Sequence, residues 1–349
     1  MHGLLPLPGG EREFTEFVAR FVTSIERGFV PSKFDPAVRN SMTTITLPSR
    51  AEPLISWRIR RLLFGYCYLV PAALCMLATV VVPIFLAIKM SLYNDVLYKP
   101  QEYRFIGFGN YLRLIEDPVF WLSLWNSIVW VFGSVVFQFV AGFAAALLLH
   151  QAFFGRALVR TLTLLPWIIP GVVVGLIWEW LYQPNYGVIN DLLMKIGLMQ
   201  ERVAWLSSPD LAMPAIVFTN VWRGIPFFAI MLLAGLQAIP GELYEAAHVD
   251  GANVFSRFWH ITLPLLRPII VVATATRIIW TFNYADLIFV MTGGGPANAT
   301  QITSTYTLMQ AYSSLDFGYA GALSVVLLVV MLAFTALYLR VTRGVEEVG

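Results

Sequence analysis

Six long apolar segments recur along this chain, and they constrain its fold more than any other feature. Each is long enough to cross a bilayer as a helix, which takes about 20 residues. Because backbone groups inside lipid must bond within their own segment, we predict an all-α membrane protein. The composition agrees, since 58% of residues are hydrophobic and only 13% are charged. The predicted spans cover about 62–90, 123–149, 161–182, 211–238, 268–291 and 319–339.

Arginines cluster at alternate ends of these spans, which predicts the orientation of the chain. Cytoplasmic loops of membrane proteins carry an excess of Lys and Arg. The richer ends hold Arg58, Arg60, Arg61, Arg156, Arg160, Arg257, Arg267, Arg340 and Arg343. The opposite loops are longer and hold Lys99, Arg104, Arg113, Lys195 and Arg202. We therefore expect both termini, and the loop between the fourth and fifth spans, to be cytoplasmic.

The first 57 residues differ from the rest of the chain. They carry charges of both signs and several prolines, but no long apolar run. They lack the apolar region and cleavage site of a signal peptide. We predict a weakly ordered cytoplasmic tail over 1–57 and a transmembrane domain over 58–349. Within the tail, 11–29 could form a short amphipathic helix, and translation could start at Met42 instead of Met1.

The sequence offers no catalytic or metal-binding constellation. His150, His248 and His260 lack the spacing of metal ligands. A P-loop requires a lysine after a glycine, and no lysine of this chain follows one. The net charge of +2 gives no reason to expect nucleic acid as a partner. We expect a chain without enzymatic activity, cofactor or metal, surrounded by membrane lipid.

A polar, helix-forming insert interrupts the apolar pattern between the fourth and fifth spans, over residues 239–267. Pro240 can begin a helix there, because its missing N–H costs nothing in the first turn. Glu242 lies in the first turn of this helix, where the positive end of the helix dipole stabilises a negative charge. The defining positions of the insert are Glu245, Ala246, Ala247, Gly251, Ile261, Leu263 and Pro264. The small alanines permit close approach of a partner, and the glycine can end the helix; the alternative is a surface helix without a partner.

This spacing, E-A-A, three residues, G, nine residues, I-x-L-P, resembles the coupling loop of ATP-binding-cassette import permeases. Residues about 62–340 resemble the carbohydrate-uptake permeases of the maltose and glycerol-phosphate type. Three blocks carry the resemblance: WRGIPF at 222–227, the stretch 234–268, and Asp286 with TGGGP at 292–296 and DFGYA at 316–320. The third block is most similar to the first of the two paired permeases in such systems.

The resemblance implies a six-span type I importer fold with a cytoplasmic coupling helix, in a bacterial inner membrane. It also implies a complex with a second homologous permease, two copies of an ABC ATPase and a periplasmic sugar-binding protein. ATP and Mg would be bound by the ATPase, since this chain has no site for them. The function implied is import of a carbohydrate by alternating access.

Matching to the maltose-type permeases also implies a substrate path. In the fourth span its residues are Asn220, Arg223, Gly224 and Phe227, and in the fifth they are Arg277, Trp280, Thr281 and Tyr284. The residues of the fifth span follow i, i+3, i+4, i+7 spacing and are predicted to share one face of a helix. Aromatic rings suit the apolar faces of a sugar, and the polar side chains supply hydrogen bonds.

Two arginines in that path, Arg223 and Arg277, suggest the charge of the cargo. A guanidinium fits a carboxylate, phosphate or sulfonate in a bidentate manner. The hypothesis is an anionic carbohydrate: a sugar acid, sugar phosphate or sulfosugar, also as a glycoside. The alternative, which the cost of an unpaired arginine in a membrane favours, is that they pair with acids of this chain or its partner. Asp286 is predicted about 13 Å from Arg277 along the same helix, so this pair is not expected.

Two other functions fit parts of the pattern. The same machinery could import a neutral oligosaccharide or polyol. A self-standing secondary carrier would instead need internal repeats or paired acids for ion coupling, and it would have no use for a coupling loop.

Overall fold

The computed structural model describes residues 57–342 of the chain, and this stretch is mostly helical. The tail predicted over 1–57 lies outside the described residues apart from Trp57, and so do the helix considered over 11–29 and Met42. The chain divides into two compact units, with the boundary after Ala73, inside the first helix.

The helices, in chain order, are α1 (Trp57–Met76), α2 (Val82–Ser91), α3 (Gly109–Glu116), α4 (Pro118–His150), α5 (Arg156–Ile168), α6 (Gly171–Leu181), α7 (Val188–Lys195), α8 (Pro209–Ala238), α9 (Gly241–Val249), α10 (Val254–Arg257), α11 (Leu263–Phe282), α12 (Asp286–Met291), α13 (Thr303–Tyr312) and α14 (Phe317–Thr342). Two π-helical turns, Leu77–Val81 and Phe258–Thr262, and a 3₁₀ turn, Pro100–Glu102, join some of them. A short antiparallel ribbon of β1 (Tyr93–Asn94) and β2 (Arg104–Phe105) follows α2.

Five helical stretches of the described chain are long and apolar enough to cross a membrane: Tyr68–Ser91, Pro118–His150, Pro209–Ala238, Val254–Phe282 and Phe317–Thr342. Helices α5 and α6 form a sixth candidate, but they meet at 92°. The span predicted over 161–182 is therefore made of two helices that meet at a sharp bend. Pro170 explains the bend, because proline disfavours helical backbone in the residue before it. Ile169 is accordingly extended, with φ −66° and ψ 130°.

The fifth span also differs from its prediction over 268–291. Its helix begins earlier and ends at Phe282, and α12 starts separately at Asp286. Asn283 favours this break, because its side-chain amide donates a 3.0 Å hydrogen bond to the carbonyl of Ile279 and so offers the backbone an alternative to further helix. The span is consequently a long helix followed by a short one.

Helices α4 and α8 form the centre of the second unit and make its most extensive helix contact. Gly142 permits this approach, because a Cβ there would lie 2.5 Å from the Cβ of Phe228. Trp130, Phe228 and Leu232 are fully buried between the helices. Helix α11 packs against both. Two of these helices, α8 and α11, supply side chains to the site described below.

A hydrogen-bonded polar cluster ties the start of α4 to α13 and α14. The carboxylate of Asp117 caps α4 by accepting from the backbone N–H of Val119 at 2.8 Å. Its second oxygen accepts from the hydroxyls of Tyr306 at 2.6 Å and Tyr319 at 2.5 Å. Burial opposes ionisation of this carboxyl group, but the hydrogen bonds outweigh it and hold the pKa of Asp117 below its usual value. Burial and the neighbouring carboxylate raise the pKa of Tyr306 to about 12. The tyrosine therefore stays protonated and donates a hydrogen bond to Asp117.

An ion pair extends this cluster. Arg113 on α3 pairs with Asp316 at 2.7 Å, and its guanidinium lies 4.3 Å from the ring centroid of Tyr319. Asp316 also accepts from the backbone N–H of Tyr319 at 2.9 Å. The DFGYA block therefore serves as an anchor for the last span. We call Arg113, Asp117, Tyr306, Asp316 and Tyr319 the Asp117 cluster.

Candidate functional site

The predicted coupling loop, residues 239–267, folds into α9, a tight turn and α10. Helix α9 starts directly after Pro240, as expected from the sequence. A hydrogen bond of 2.9 Å between the hydroxyls of Tyr244 and Thr262 fastens α9 to the base of the fifth span. A displacement of α9 would therefore be transmitted to α11.

The outer surface of this loop exposes apolar side chains. Glu245 and Ala246 are exposed, and Ala247 is half-buried. Close by in the chain, Val249 is 87% exposed and Phe255 is 76% exposed. Apolar side chains left this open next to small residues are typical of a surface that a partner covers.

The remaining motif residues shape the backbone of the loop. Gly251 has φ +78°, in the left-handed region that favours glycine, and a Cβ there would meet nothing within 4 Å. Ile261, Leu263 and Pro264 lie where the loop returns into α11. Leu263 N–H bonds to the carbonyl of Phe258, five residues back, in a π-helical turn just before the proline.

A cavity of about 190 Å³ lies where the bent third span approaches α8 and the end of α11. Five of its six lining residues belong to the substrate path predicted from the sequence, and Trp167 is the addition. We call it the Arg277 cavity, and its lining residues are Trp167, Arg223, Arg277, Trp280, Thr281 and Tyr284. The other predicted residues, Asn220, Gly224 and Phe227, lie on α8 beside Arg223.

Aromatic rings hold both guanidinium groups of the cavity. The Cζ atom of Arg223 lies 4.8 Å from the ring centroid of Tyr284, and that of Arg277 lies 5.9 Å from the ring centroid of Phe227. The ring of Phe227 in turn contacts that of Trp280, with centroids 5.4 Å apart. Arginines over aromatic faces gain a cation–π attraction and still have N–H groups for a ligand.

The prediction of one helical face from Arg277 to Tyr284 is wrong in part. Helix α11 ends at Phe282, and Tyr284 reaches the cavity from the following turn, with its hydroxyl against Gly171 at the bend of the third span. The prediction that Arg277 and Asp286 share one helix is wrong for the same reason. Both breaks in the spans therefore meet at this cavity.

Several polar atoms around the cavity are buried and have no hydrogen-bond partner in the protein. They are Nδ2 and Oδ1 of Asn220, Nε of Arg223, Oγ1 of Thr281 and the hydroxyl of Tyr284. Such groups are uncommon in folded proteins, because each one costs the free energy of its lost hydration. Five such atoms around one cavity, three of them on residues that line it, indicate a place that a polar ligand or water fills.

The positive charges of the cavity are not neutralised by residues 57–342, the part of the chain that the structure describes. Among the described residues, no ion pair involves Arg223 or Arg277. Glu179 and Asp286, the acids in the predicted spans, form none there either. The interpretation that the two arginines pair with acids of this chain thus finds no support in the part that the structure describes.

Sequence reasoning missed Gln138, which is fully buried and contacts Arg277. A signal for it was present, because buried polar residues recur at helical spacing along one face of α4: Ser123, Ser127, Ser134 and Gln138. A polar stripe inside a predicted membrane span indicates that this face is turned toward other helices, away from lipid.

Comparison with known proteins identifies the family of the chain. The family described as "Binding-protein-dependent transport system inner membrane component" matches residues 138–347. The trehalose/maltose transport system permease protein MalF of Thermococcus litoralis is 39% identical over 287 residues, covering 82% of this chain and 96% of the relative. The sulfoquinovosyl glycerol transport system permease protein SmoG of Agrobacterium fabrum is 39% identical over 281 residues, covering 80% of this chain and 91% of the relative.

A solved structure is also similar. A chain of the bacterial alginate ABC transporter, in complex with an alginate pentasaccharide-bound periplasmic protein, aligns with a TM-score of 0.73 and 25% identity, covering 84% of this chain and 98% of that one. These similarities confirm the resemblance to carbohydrate-uptake permeases and the importer fold. They also identify the chain as a transport subunit and leave no need for the self-standing carrier. The chain belongs to the family of binding-protein-dependent transport system inner membrane components, the permease subunits of ATP-binding-cassette importers.

Proposed function

We propose that this permease imports an anionic carbohydrate and that the Arg277 cavity binds its charged group. The observation that carries the proposal is the presence of two arginines, Arg277 buried and Arg223 half-buried, in one cavity without a carboxylate from the described chain. Burial makes an uncompensated charge costly. An anion in the cavity would offset that cost and gain charge-assisted hydrogen bonds.

The similar proteins do not decide the charge of the cargo. MalF is named for trehalose and maltose, which are neutral, and SmoG for sulfoquinovosyl glycerol, which bears a sulfonate. The alginate transporter is described as an importer of an acidic polysaccharide. Since relatives of both kinds are similarly close, the residues of the cavity carry the argument.

The cavity supplies two kinds of contact for such a cargo. Arg223 and Arg277 offer N–H groups to a sulfonate, carboxylate or phosphate. Trp167 and Trp280 offer flat apolar faces to a sugar ring. The unpartnered hydroxyls of Thr281 and Tyr284 are available to sugar hydroxyls.

The partners proposed are a second homologous permease, two copies of an ABC ATPase that binds ATP and Mg, and a periplasmic sugar-binding protein. The stretch Tyr68–Ser91 supports the second permease, because the described residues of this chain bury none of its most apolar window. The coupling loop supports the ATPase, because its outer surface leaves Val249 and Phe255 uncovered. Lipid would cover whatever apolar surface remains.

The proposed location is a bacterial inner membrane, with both termini cytoplasmic, since the basic residues favour this orientation. The transmembrane domain proposed over 58–349 would then present the coupling loop to the cytoplasm. Closure of the ATPase dimer would displace α9, and the Tyr244–Thr262 hydrogen bond would pass this movement to α11, which carries Arg277. Access to the cavity would alternate between the two sides of the membrane.

The cargo is tested with Arg277→Gln and Arg223→Gln in the complete transporter reconstituted in vesicles. The probes are sulfoquinovosyl glycerol and glucosyl glycerol, which differ at one sugar carbon, where a sulfonate replaces a hydroxyl. Because the binding protein is the same in every assay, a change in the uptake ratio is caused by the substitution in the permease. We expect the ratio of sulfonated to neutral uptake to fall about tenfold or more, as charge-assisted hydrogen bonds are lost.

The control is Arg202→Gln, which removes an exposed arginine far along the chain from the cavity and should leave the ratio unchanged. If all three variants keep the wild-type ratio, the cargo is not recognised by charge, and a neutral oligosaccharide or polyol becomes the better interpretation.

The coupling role is tested with Gly251→Glu. A side chain is strained at φ +78°, and a bulky acid would stand on the proposed docking surface. We expect ATP-driven uptake to be lost while the chain still reaches the membrane and copurifies with the second permease. Uptake at the wild-type rate would contradict an ATPase contact at this loop.

A further inference from the structure

Gln138 connects α4, on which it lies, with α8 and α11, the two long helices that line the Arg277 cavity. It lies on α4, is fully buried, and contacts both α8 and α11. Its side-chain Oε1 accepts from Nε of Arg277 at 2.6 Å. Its Nε2 donates to the backbone carbonyl of Asn220 at 2.8 Å.

The two partners determine the orientation of this amide. A guanidinium only donates hydrogen bonds, so the amide oxygen must face Arg277. A backbone carbonyl only accepts, so the amide nitrogen must face Asn220. A flipped amide would lose both bonds. The guanidinium is therefore held through one nitrogen by a rigid, neutral group.

Gly224 provides the space for this arrangement. A Cβ at this position would overlap Cδ and Nε2 of Gln138 and would lie 2.5 Å from Nη2 of Arg277. The glycine of the WRGIPF block thus stands where the two side chains meet. Its role is to let α8 pass close to both of them.

We infer that Gln138 is a positioning residue that sets the charge preference of the permease, by orienting Arg277 without neutralising it. The inference rests on the proposed function. A neutral amide leaves the full positive charge of the guanidinium for the cargo. A carboxylate at the same position would form an ion pair with Arg277 and would cancel the charge that an anionic cargo meets.

The test is Gln138→Glu and Gln138→Met in the complete transporter, with sulfoquinovosyl glycerol and glucosyl glycerol as probes. We expect Gln138→Glu to lower the ratio of sulfonated to neutral uptake about tenfold or more, because the charge of Arg277 is compensated. Gln138→Met keeps the size and removes both hydrogen bonds. It should raise KM for the sulfonated glycoside several-fold and change the neutral one little.

The matched control is Ser134→Ala, one turn earlier on the same face of α4, where the serine hydroxyl has no partner. It should leave both uptake rates unchanged. If Gln138 has only a structural role, its substitutions should lower the uptake of the two glycosides equally, and that result would overturn the inference. If Gln138→Glu does not assemble, the KM values of Gln138→Met decide alone.

The arginine variants distinguish a failure of the proposed anionic cargo from a failure of the positioning role of Gln138. If Arg277→Gln lowers the uptake ratio and Gln138→Glu and Gln138→Met do not, the positioning role is wrong and the anionic cargo stands. If Arg277→Gln alone leaves the ratio unchanged, the inference about Gln138 fails, and if Arg223→Gln leaves it unchanged as well, the proposed cargo fails too.

Discussion

Two polar groupings in this permease, the Asp117 cluster and the Arg277 cavity, differ in how their charged groups are paired. In the Asp117 cluster the acid accepts three hydrogen bonds, and Arg113 pairs with Asp316. In the Arg277 cavity, two arginines have no acid from the described chain, and several polar atoms have no partner. The first arrangement is what a protein needs to hold helices together. The second costs stability and is expected where a ligand completes the bonding.

The largest expected loss of stability follows from breaking the hydrogen bonds of the Asp117 cluster. Asp117→Ala removes the cap of α4 and leaves two tyrosine hydroxyls without an acceptor. We expect a loss of about 3 kcal/mol in the free energy of unfolding, from one cap and two hydrogen bonds to a charged group. Denaturant titration of the purified chain in detergent would measure it. Wild-type stability would mean that the cluster does not hold the helices.

Substitution of two tyrosines by phenylalanine should have smaller effects on the free energy of unfolding, and these effects should differ between the two groupings. Tyr306→Phe removes a bonded hydroxyl and should cost about 1–2 kcal/mol. Tyr284→Phe removes an unpartnered buried hydroxyl and should leave stability equal or slightly higher. The uptake ratio of the sulfonated and neutral glycosides should fall modestly for Tyr284→Phe only. Equal losses of stability in both variants would end the distinction between the two groupings.

The smallest effect is a dependence of stability on pH. Because hydrogen bonds lower the pKa of Asp117 in the folded chain, its contribution to stability is complete above the unfolded pKa. It is lost as the pH falls from about 4 through the lowered folded value. Asp117→Asn should flatten this part of the profile of unfolding temperature against pH. An unchanged slope would show that other carboxyl groups dominate acid unfolding.

The membrane spans could be predicted because each is a local property of the chain. Apolar runs of sufficient length need no tertiary information. The breaks were harder. Pro170 lies in plain view, but proline is common in membrane helices, and only the packing around it determines a bend of 92°. Asn283 gives an even weaker signal, since asparagine does not by itself end a helix.

The coupling loop and the cavity also differ in how far sequence reasoning reached. The loop is contiguous, and its spacing indicated the helix, the turn and the return into α11. The cavity is assembled from the third, fourth and fifth spans, and matching to known permeases indicated most of its lining. Trp167 and Gln138 lie on elements that the matching did not cover, and their role depends on contacts with distant residues.

Length, composition and residue spacing are local features, and they were sufficient to predict a helical membrane protein, a loop with the spacing of a coupling loop, and two arginines within the spans. The contacts between helices could not be predicted in this way. These contacts bring Arg223 and Arg277 to one cavity, leave both without an acid of the described chain, and place Gln138 against Arg277 beside Gly224. Whether a charge is paired depends on which helices meet, and this is settled by packing across the whole bundle.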